Sequence, residues 1–237
     1  MDKILIILIS LIGGILVNII AEKIIGENES VHIQNEVIVK EKHEYIRKYK
    51  KRIYEKIINQ LTIVCTLSII INLILYNIYG FSLEFLKCYT LITILLLVSI
   101  VDIRTHYVYN STTKCGLILG IIFFIIEWGY MSKLPIDKIK GLLLGFIIMW
   151  SLYKITKAFG EGDAEIAMLI GIFIGTNGVI SSIIFSIVTC GVISMFLLLS
   201  KKFSLKEEIA FVPYLSLGGF LSIILSEEII FYFNLFN

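Results

Sequence analysis

Two aspartates are the residues of this sequence best suited to chemistry. Aspartate is scarce, with four residues against 15 glutamates, and Asp102 and Asp163 each border a long apolar segment. An ionisable side chain inside a bilayer costs at least about 2.5 to 3.5 kcal/mol, so acids found there usually face a cavity or a partner. Two carboxyls within hydrogen-bond reach hold one proton between them, because both cannot ionise cheaply. One can then act as base and the other as acid, which permits hydrolysis without a metal or a cofactor.

Each aspartate also has an explanation that needs no chemistry. Asp163 stands where an acid at a helix N-terminus would be stabilised by the helix dipole. Asp102 can simply end a helix at the membrane interface. Since the two residues are 61 positions apart, the elements that carry them decide whether they meet.

The composition places both acids in a membrane protein. Apolar residues make up 57% of the 237 positions and charged residues 17%, with a mean hydropathy of +0.90, which excludes an ordinary soluble domain. The apolar runs are continuous in Leu and Ile rather than alternating, so they predict helices. A net charge of +2 gives no reason to expect a nucleic-acid partner. We therefore expect an all-α, polytopic helical bundle in contact with the lipid bilayer.

Eight apolar segments come near the roughly 20 residues that an α-helix needs to cross about 30 Å of hydrocarbon. No repeat or linker divides them, so residues 1–237 are interpreted as a single polytopic domain. The predicted spans are 4–21, 60–79, 84–101, 112–130, 139–156, 158–176, 179–200 and 209–226.

The distribution of basic residues predicts the sidedness of these spans. With both termini outside, 16 of the 21 Lys and Arg residues fall on the inside, as the positive-inside rule requires. The largest inner segment, 22–59, has nine basic and seven acidic residues. It is interpreted either as a loop that touches anionic headgroups or as a docking surface for a protein. Asp102 and Asp163 both fall on this inner, cytoplasmic side.

The sixth predicted span constrains Asp163 further. Residues 166–176 alone would form about 17 Å of helix, too short to cross. The helix therefore has to reach back through 159–163 and carry Asp163 into the edge of the bilayer. Gly160 and Gly162 have no Cβ, so a substrate strand or the helix of Asp102 could approach the acid closely.

The motifs around the two aspartates resemble those of the type IV prepilin peptidases, a family of GxGD intramembrane aspartic proteases. Residues 102–104 fit the family's D-x-(R/K) segment, 108–110 its I-P-N-like triplet without the proline, and 160–163 its GxGD motif. Two weaker matches occur in the expected order. They are 13–18, which resembles the opening of the first span, and 211–218, which resembles a late P-F-G-P-F-L-A-L-G segment.

The resemblance implies an activity and a substrate. Such enzymes cut a short basic leader from pilin-like precursors in the prokaryotic cell membrane, after a glycine at the boundary of the precursor's hydrophobic helix. Asp102 and Asp163 would be the catalytic pair, with Gly160, Gly162 and Arg104 as supporting motif residues. Arg104 is otherwise interpreted as an anchor to phosphate headgroups, or as a charge that tunes Asp102. No metal or other cofactor is implied.

The sequence also departs from the family pattern. Glu165 stands where members commonly have lysine, and the inner segment 22–59 lacks the paired CxxC motifs of many bacterial members. The missing zinc-stabilised loop disfavours the N-methylation, with S-adenosylmethionine, that bifunctional members also perform. The four cysteines are interpreted as packing residues; they are Cys65, Cys88, Cys115 and Cys190.

Two other classes of function could use the same acids. A proton-coupled transporter would use them as a relay, and would show repeat symmetry with the acids near the membrane midplane. A noncatalytic scaffold of a pilus or secretion assembly would use them only to pair helices. The identity of a precursor and the oligomeric state do not follow from the sequence.

Overall fold

The fold is helical throughout the described part of the chain. The computed structural model describes residues 2–33, 42–131, 134–157, 159–200 and 209–235, with side chains at 3–26, 60–130, 134–157, 159–200 and 209–225. No strand occurs within these ranges, so the predicted all-α class is confirmed. The helices are α1 (Asp2–Ile33), α2 (Lys42–Tyr79), α3 (Leu83–Thr105), α4 (Asn110–Met131), α5 (Ile136–Thr156), α6 (Glu161–Leu199) and α7 (Val212–Leu235).

Six of these helices, α1 to α6, include a segment long and apolar enough to cross a membrane, and α7 contributes a shorter apolar stretch, Val212–Leu225. Large apolar side chains are exposed along them, as on α4 at Ile118, Ile121 and Ile125. A helix of a soluble protein would place polar residues on such a face. The protein is therefore a multi-pass membrane protein, as predicted.

Within the described residues the eight predicted spans correspond to seven labelled helices, because α6 contains both the sixth and the seventh span. Its two arms, 161–174 and 176–199, meet at Gly175, whose backbone has φ 79° and ψ −170°. A Cβ on Gly145 of α5 would collide with the Ala167 carbonyl oxygen and lie 2.9 Å from Val179 Cγ2. On a straight helix Ala167 and Val179 would be about 18 Å apart. The chain therefore reverses at Gly175, and we call the two parts the first arm and the second arm.

Helices α1 and α2 pack together within one compact unit, Met1–Gly80. They approach closely at Gly14, where a Cβ would lie 3.0 Å from the Cys65 Cα. The Gln60 side-chain amide donates a hydrogen bond to Asn18 Oδ1 at 3.2 Å. A small residue and a side-chain hydrogen bond thus join the helices, as is common in membranes.

Both helices continue beyond the predicted spans. α1 extends to Ile33 and α2 begins at Lys42, so most of the segment predicted as an inner loop, 22–59, has a helical backbone. The side chains of its basic run, 47–52, lie outside the described residues. Contact of this run with headgroups or with a protein stays a prediction.

Helices α3 to α7 form the second unit, Phe81–Asn237, and the first arm of α6 lies at its centre. Ile166, Leu169 and Ile170 of this arm have no exposed surface. Glycines on the neighbouring helices make room for it: a Cβ on Gly116 of α4 would lie 3.0 Å from Leu169, and one on Gly219 of α7 would lie 3.5 Å from Ile170. Small residues at such contacts let helix backbones approach closely.

A buried ion pair joins α3 to α4. Lys87 and Glu127 are 4% and 5% exposed and contact each other directly, and Lys87 Nζ also lies 2.5 Å from Glu84 Oε2. Lys87 stands near the start of α3, at the opposite end of the helix from Asp102. A charge in this environment depends on its partner, because an isolated one would bear the full cost of leaving water.

Replacing Lys87 alone should therefore destabilise the protein more than replacing the whole pair. Lys87→Met leaves Glu127 buried without its cation and should lower the free energy of unfolding by about 3–5 kcal/mol. The double variant Lys87→Met/Glu127→Leu removes both charges and should recover most of that loss. Unfolding in detergent micelles measures both effects, and a double variant no more stable than Lys87→Met would contradict this account.

Candidate active site

Asp102 lies in the last turn of α3 and is 5% exposed. Its Oδ2 accepts a hydrogen bond from the backbone N–H of Val212 at 3.2 Å. Val212 is the first residue of α7, and the first N–H groups of a helix have no partner within it. His106 ends α3 in the left-handed conformation, φ 49°, and donates its N–H to the Asp102 carbonyl oxygen at 2.8 Å. The carboxyl is therefore held at the meeting point of two helix ends.

Asp163 lies in the first turn of α6 and is also 5% exposed. Its Oδ2 accepts a hydrogen bond from the N–H of Gly160 at 2.8 Å, and its own N–H donates to the Gly160 carbonyl oxygen at 3.2 Å. This reciprocal pair caps the helix. Because α6 begins at Glu161, the helix reaches back to include Asp163, as predicted, but not as far as 159 and 160. The dipole explanation for Asp163 is compatible with this geometry, as is a chemical role.

The two aspartates come together at one end of the second unit, which we call the aspartate end. The residues that donate to them, Gly160 and Val212, each follow a phenylalanine in the sequence. These phenylalanines, Phe159 and Phe211, pack edge to face with ring centroids 4.8 Å apart and planes at 77°. This contact places Asp102 and Asp163 at the same end of the unit. The fold thus joins residues that are 61 positions apart in the sequence.

The two glycines before Asp163 differ in how tightly they are packed. A Cβ on Gly162 would lie 2.5 Å from Val108 Cβ, which is closer than side chains approach. A Cβ on Gly160 would lie 3.6 Å from Asp163 Oδ2, an ordinary contact, and its φ of −85° suits any residue. Only Gly162 is therefore required to be small, and its neighbour is the connection between α3 and α4 rather than α3 itself.

Arg104 and Glu165, two residues that the sequence analysis singled out, are each two positions from an aspartate. Arg104 is half-buried in the last turn of α3. It is two positions after Asp102, so it lies on the opposite side of the helix from that residue. Glu165 is half-buried and its Oε2 accepts a hydrogen bond from the Thr113 hydroxyl at 2.6 Å, which ties the first turn of α4 to α6. The sequence gives no sign of this contact, because nothing local relates residues 52 positions apart. The sequence likewise does not reveal that Val212 donates to Asp102. The family resemblance of 211–218 was the one feature that pointed to this segment.

The site offers acid–base chemistry. Each of its two buried carboxyls is fixed through one oxygen, Oδ2, by a backbone N–H, so Oδ1 can serve a water molecule or a substrate. A carboxyl pair of this kind can take a proton from water on one member and give one from the other. Within the part of the chain whose side chains are described, no three His, Cys, Asp or Glu residues form a group that could hold a metal ion.

Residues 89–195 match the model of the type IV leader peptidase family. This part of the chain, just under half of it, is thus similar to that family. The matched segment contains both aspartates of the site, together with the Gly162 and Val108 that pack beside them. It ends before Val212, which holds one of the carboxyls from α7.

Proteins of assigned name are similar to part of the chain. All three described here are named prepilin leader peptidase/N-methyltransferase. The protein of Pseudomonas putida is 27% identical over 157 residues, covering 64% of this chain and 54% of the relative. That of Stutzerimonas stutzeri is 26% identical over 157 residues, covering 64% and 53%. That of Pectobacterium carotovorum subsp. carotovorum is 24% identical over 142 residues, covering 57% and 50%.

The chain spans about half the length of these curated relatives. No solved structure matches it.

The close contact between Gly162 and Val108 predicts a compensating pair of substitutions. Gly162→Ala should lower the free energy of unfolding by about 1–3 kcal/mol, because the new methyl group overlaps Val108. In a Val108→Gly background the space is open, so the same change should cost at least about 0.5 kcal/mol less. Gly160→Ala is the control and should leave the unfolding temperature unchanged. Equal effects of Gly162→Ala in both backgrounds would show that the contact does not exist.

Proposed function

We propose that this protein is an aspartic endopeptidase that removes a short basic leader from type IV prepilin-like precursors at the cytoplasmic face of the membrane. The observation that supports the proposal is that Asp102 and Asp163 are both buried and both fixed by backbone N–H groups at helix ends, which the contact of Phe159 with Phe211 joins. The names of the relatives, which begin with prepilin leader peptidase, support the choice of substrate.

The reaction needs one aspartate ionised and the other protonated. The ionised carboxylate takes a proton from a bound water molecule, and the resulting hydroxide attacks the scissile peptide carbonyl. The protonated carboxyl gives its proton to the carbonyl oxygen as the tetrahedral intermediate forms. When the C–N bond breaks, the carboxyl protonated by water passes that proton to the leaving amine. The other carboxylate takes a proton back from the gem-diol as its carbonyl re-forms, so the pair returns to its singly protonated state.

The location of the site supports a substrate that is itself a membrane helix. Both aspartates lie at helix ends, so they sit near the edge of the hydrocarbon region rather than at its middle. A precursor inserted as a helix would present its leader junction at the same level. The excess of basic residues on the side assigned to these helix ends supports the cytoplasmic face. The lipid bilayer thus brings enzyme and substrate to the same depth.

The proposal covers the peptidase activity alone. The relatives' names also include N-methyltransferase, but the match covers about half of their length and the inner segment 22–59 has no paired CxxC motif. We therefore do not extend the methyl-transfer activity to this chain.

Substitution of either aspartate should abolish cleavage while the protein stays folded. Asp102→Asn and Asp163→Asn keep the size of the side chain and an acceptor oxygen, but they cannot exchange the proton. Cleavage of a precursor pilin by purified membranes should fall by a factor of about 10²–10⁴. Glu165→Gln is the matched control, since it removes a nearby carboxylate and keeps an oxygen for Thr113; its rate should equal that of wild type.

Three results would count against the proposal. Equal cleavage by all variants would show that the aspartates are not the catalytic pair. Failure of the wild-type protein to cleave any of several precursors would favour the transporter or the scaffold. Loss of folding in both variants, with activity restored by stabilising conditions, would assign the aspartates to helix pairing.

A further inference from the structure

The turn at Gly175, far from the aspartates, is held by the first residues of α5. Lys138 Nζ donates a hydrogen bond to the Phe173 carbonyl oxygen at 3.0 Å, at the C-terminal end of the first arm. Asp137 Oδ2 accepts from the Thr176 N–H at 3.3 Å, at the N-terminal end of the second arm, and the Thr176 hydroxyl donates to the Asp137 carbonyl oxygen at 3.2 Å. A cation thus meets the negative end of one helix dipole, and a carboxylate meets the positive end of the next.

Together these contacts form what we call the distal clamp. It consists of Asp137 and Lys138 of α5 with Phe173 and Thr176 of α6. Lys138 is half-buried. Because Phe173 belongs to the first arm and Thr176 to the second, the clamp joins α5 to both arms at the end of the unit opposite the aspartates.

Glycines let the first arm pack closely on α5. A Cβ on Gly141 would lie 2.6 Å from the Gly171 carbonyl oxygen and 2.5 Å from the Gly175 carbonyl carbon. Gly145 lies against the backbone of Ala167 in the same way. Small residues at such an interface allow close approach, and the hydrogen bond from Lys138 to Phe173 adds a directional contact at its distal end.

The first arm also connects the clamp directly to the aspartate end. Gly175 is 12 residues from Asp163, which is about 18 Å of helix. A helix is stiff along its axis, and closely packed interiors move between discrete arrangements rather than deforming continuously. A lengthwise shift of the arm at its distal end would therefore move the Asp163 carboxyl by a similar amount.

We propose that Lys138 and Asp137 are positioning residues for the reaction. They set the register of the first arm on α5 and so place Asp163 where it meets Asp102. The kinetic consequence rests on the proposed function, and it follows from geometry, since a misplacement of about 1 Å can cost about 10²-fold in rate.

The test compares Lys138→Met with Lys140→Met, which removes an exposed lysine two residues further along the same helix. Lys138→Met should lower kcat per folded molecule by about 10- to 100-fold and leave KM unchanged, because the substrate still binds. Lys138→Arg retains a cationic donor and should recover most of the rate. Lys140→Met should behave as wild type.

A second measurement needs no substrate. Hydrogen–deuterium exchange of the amides in 164–173 reports how firmly the first arm is held, and it should become faster in Lys138→Met but not in Lys140→Met. If the wild-type protein cleaved no precursor, the proposed function would fail while this measurement still tested the clamp.

Thr176→Val, which removes one hydroxyl of the clamp, replaces Lys138→Met if that variant does not fold.

Two outcomes overturn the proposal. One is unchanged exchange in the first arm of the folded Lys138→Met or Thr176→Val variant. The other is a wild-type kcat per folded molecule in a variant that is merely less stable, which would give the clamp a structural role alone.

Discussion

A buried carboxyl in a membrane protein has to find hydrogen-bond donors, and helix starts are where unused backbone donors are available. This constraint explains the architecture of the aspartate end. Asp102 closes α3 and takes its donor from Val212, the first residue of α7, whereas Asp163 takes its donor from the cap of its own helix. Two helix starts and one helix end therefore have to meet, and the packing of Phe159 on Phe211 holds the chain there.

The reversal of α6 at Gly175 helps to position Asp163. The first arm carries Asp163 into the centre of the unit, and the turn at Gly175 sends the second arm back along it, so the arm is surrounded by helices on several sides. Glycines at its contacts with α4, α5 and α7 allow backbones to approach. One end of the first arm carries Asp163, the other is held by Asp137 and Lys138, and the stiff arm joins the two.

Local sequence predicted what depends on local properties. Apolar runs located the spans, the shortness of 166–176 required the sixth span to reach back to Asp163, and the motifs around Asp102 and Asp163 carried the resemblance to the prepilin peptidases. Hydropathy separated the two arms of α6 as two spans but could not show how they are joined, since the turn depends on a single glycine conformation and on Asp137 from another helix. It equally gave no sign that α1 and α2 continue as helices into 22–59. The pairing of Lys87 with Glu127, and of Asp102 with Val212, joins residues 40 and 110 positions apart, and no local pattern encodes such partners.

The central claim is that the two aspartates form one site, and chemical crosslinking tests it without any substrate. Asp102→Cys and Asp163→Cys would be combined in a chain whose four native cysteines are replaced, and treated in membranes with a short bifunctional thiol reagent. The account predicts a crosslink as efficient as that of Ser99→Cys with Ser216→Cys, whose hydroxyl oxygens are 2.7 Å apart, and none between Asp102→Cys and Asp137→Cys at opposite ends. Absence of the 102–163 crosslink in folded protein, while the serine pair reacts, would contradict it.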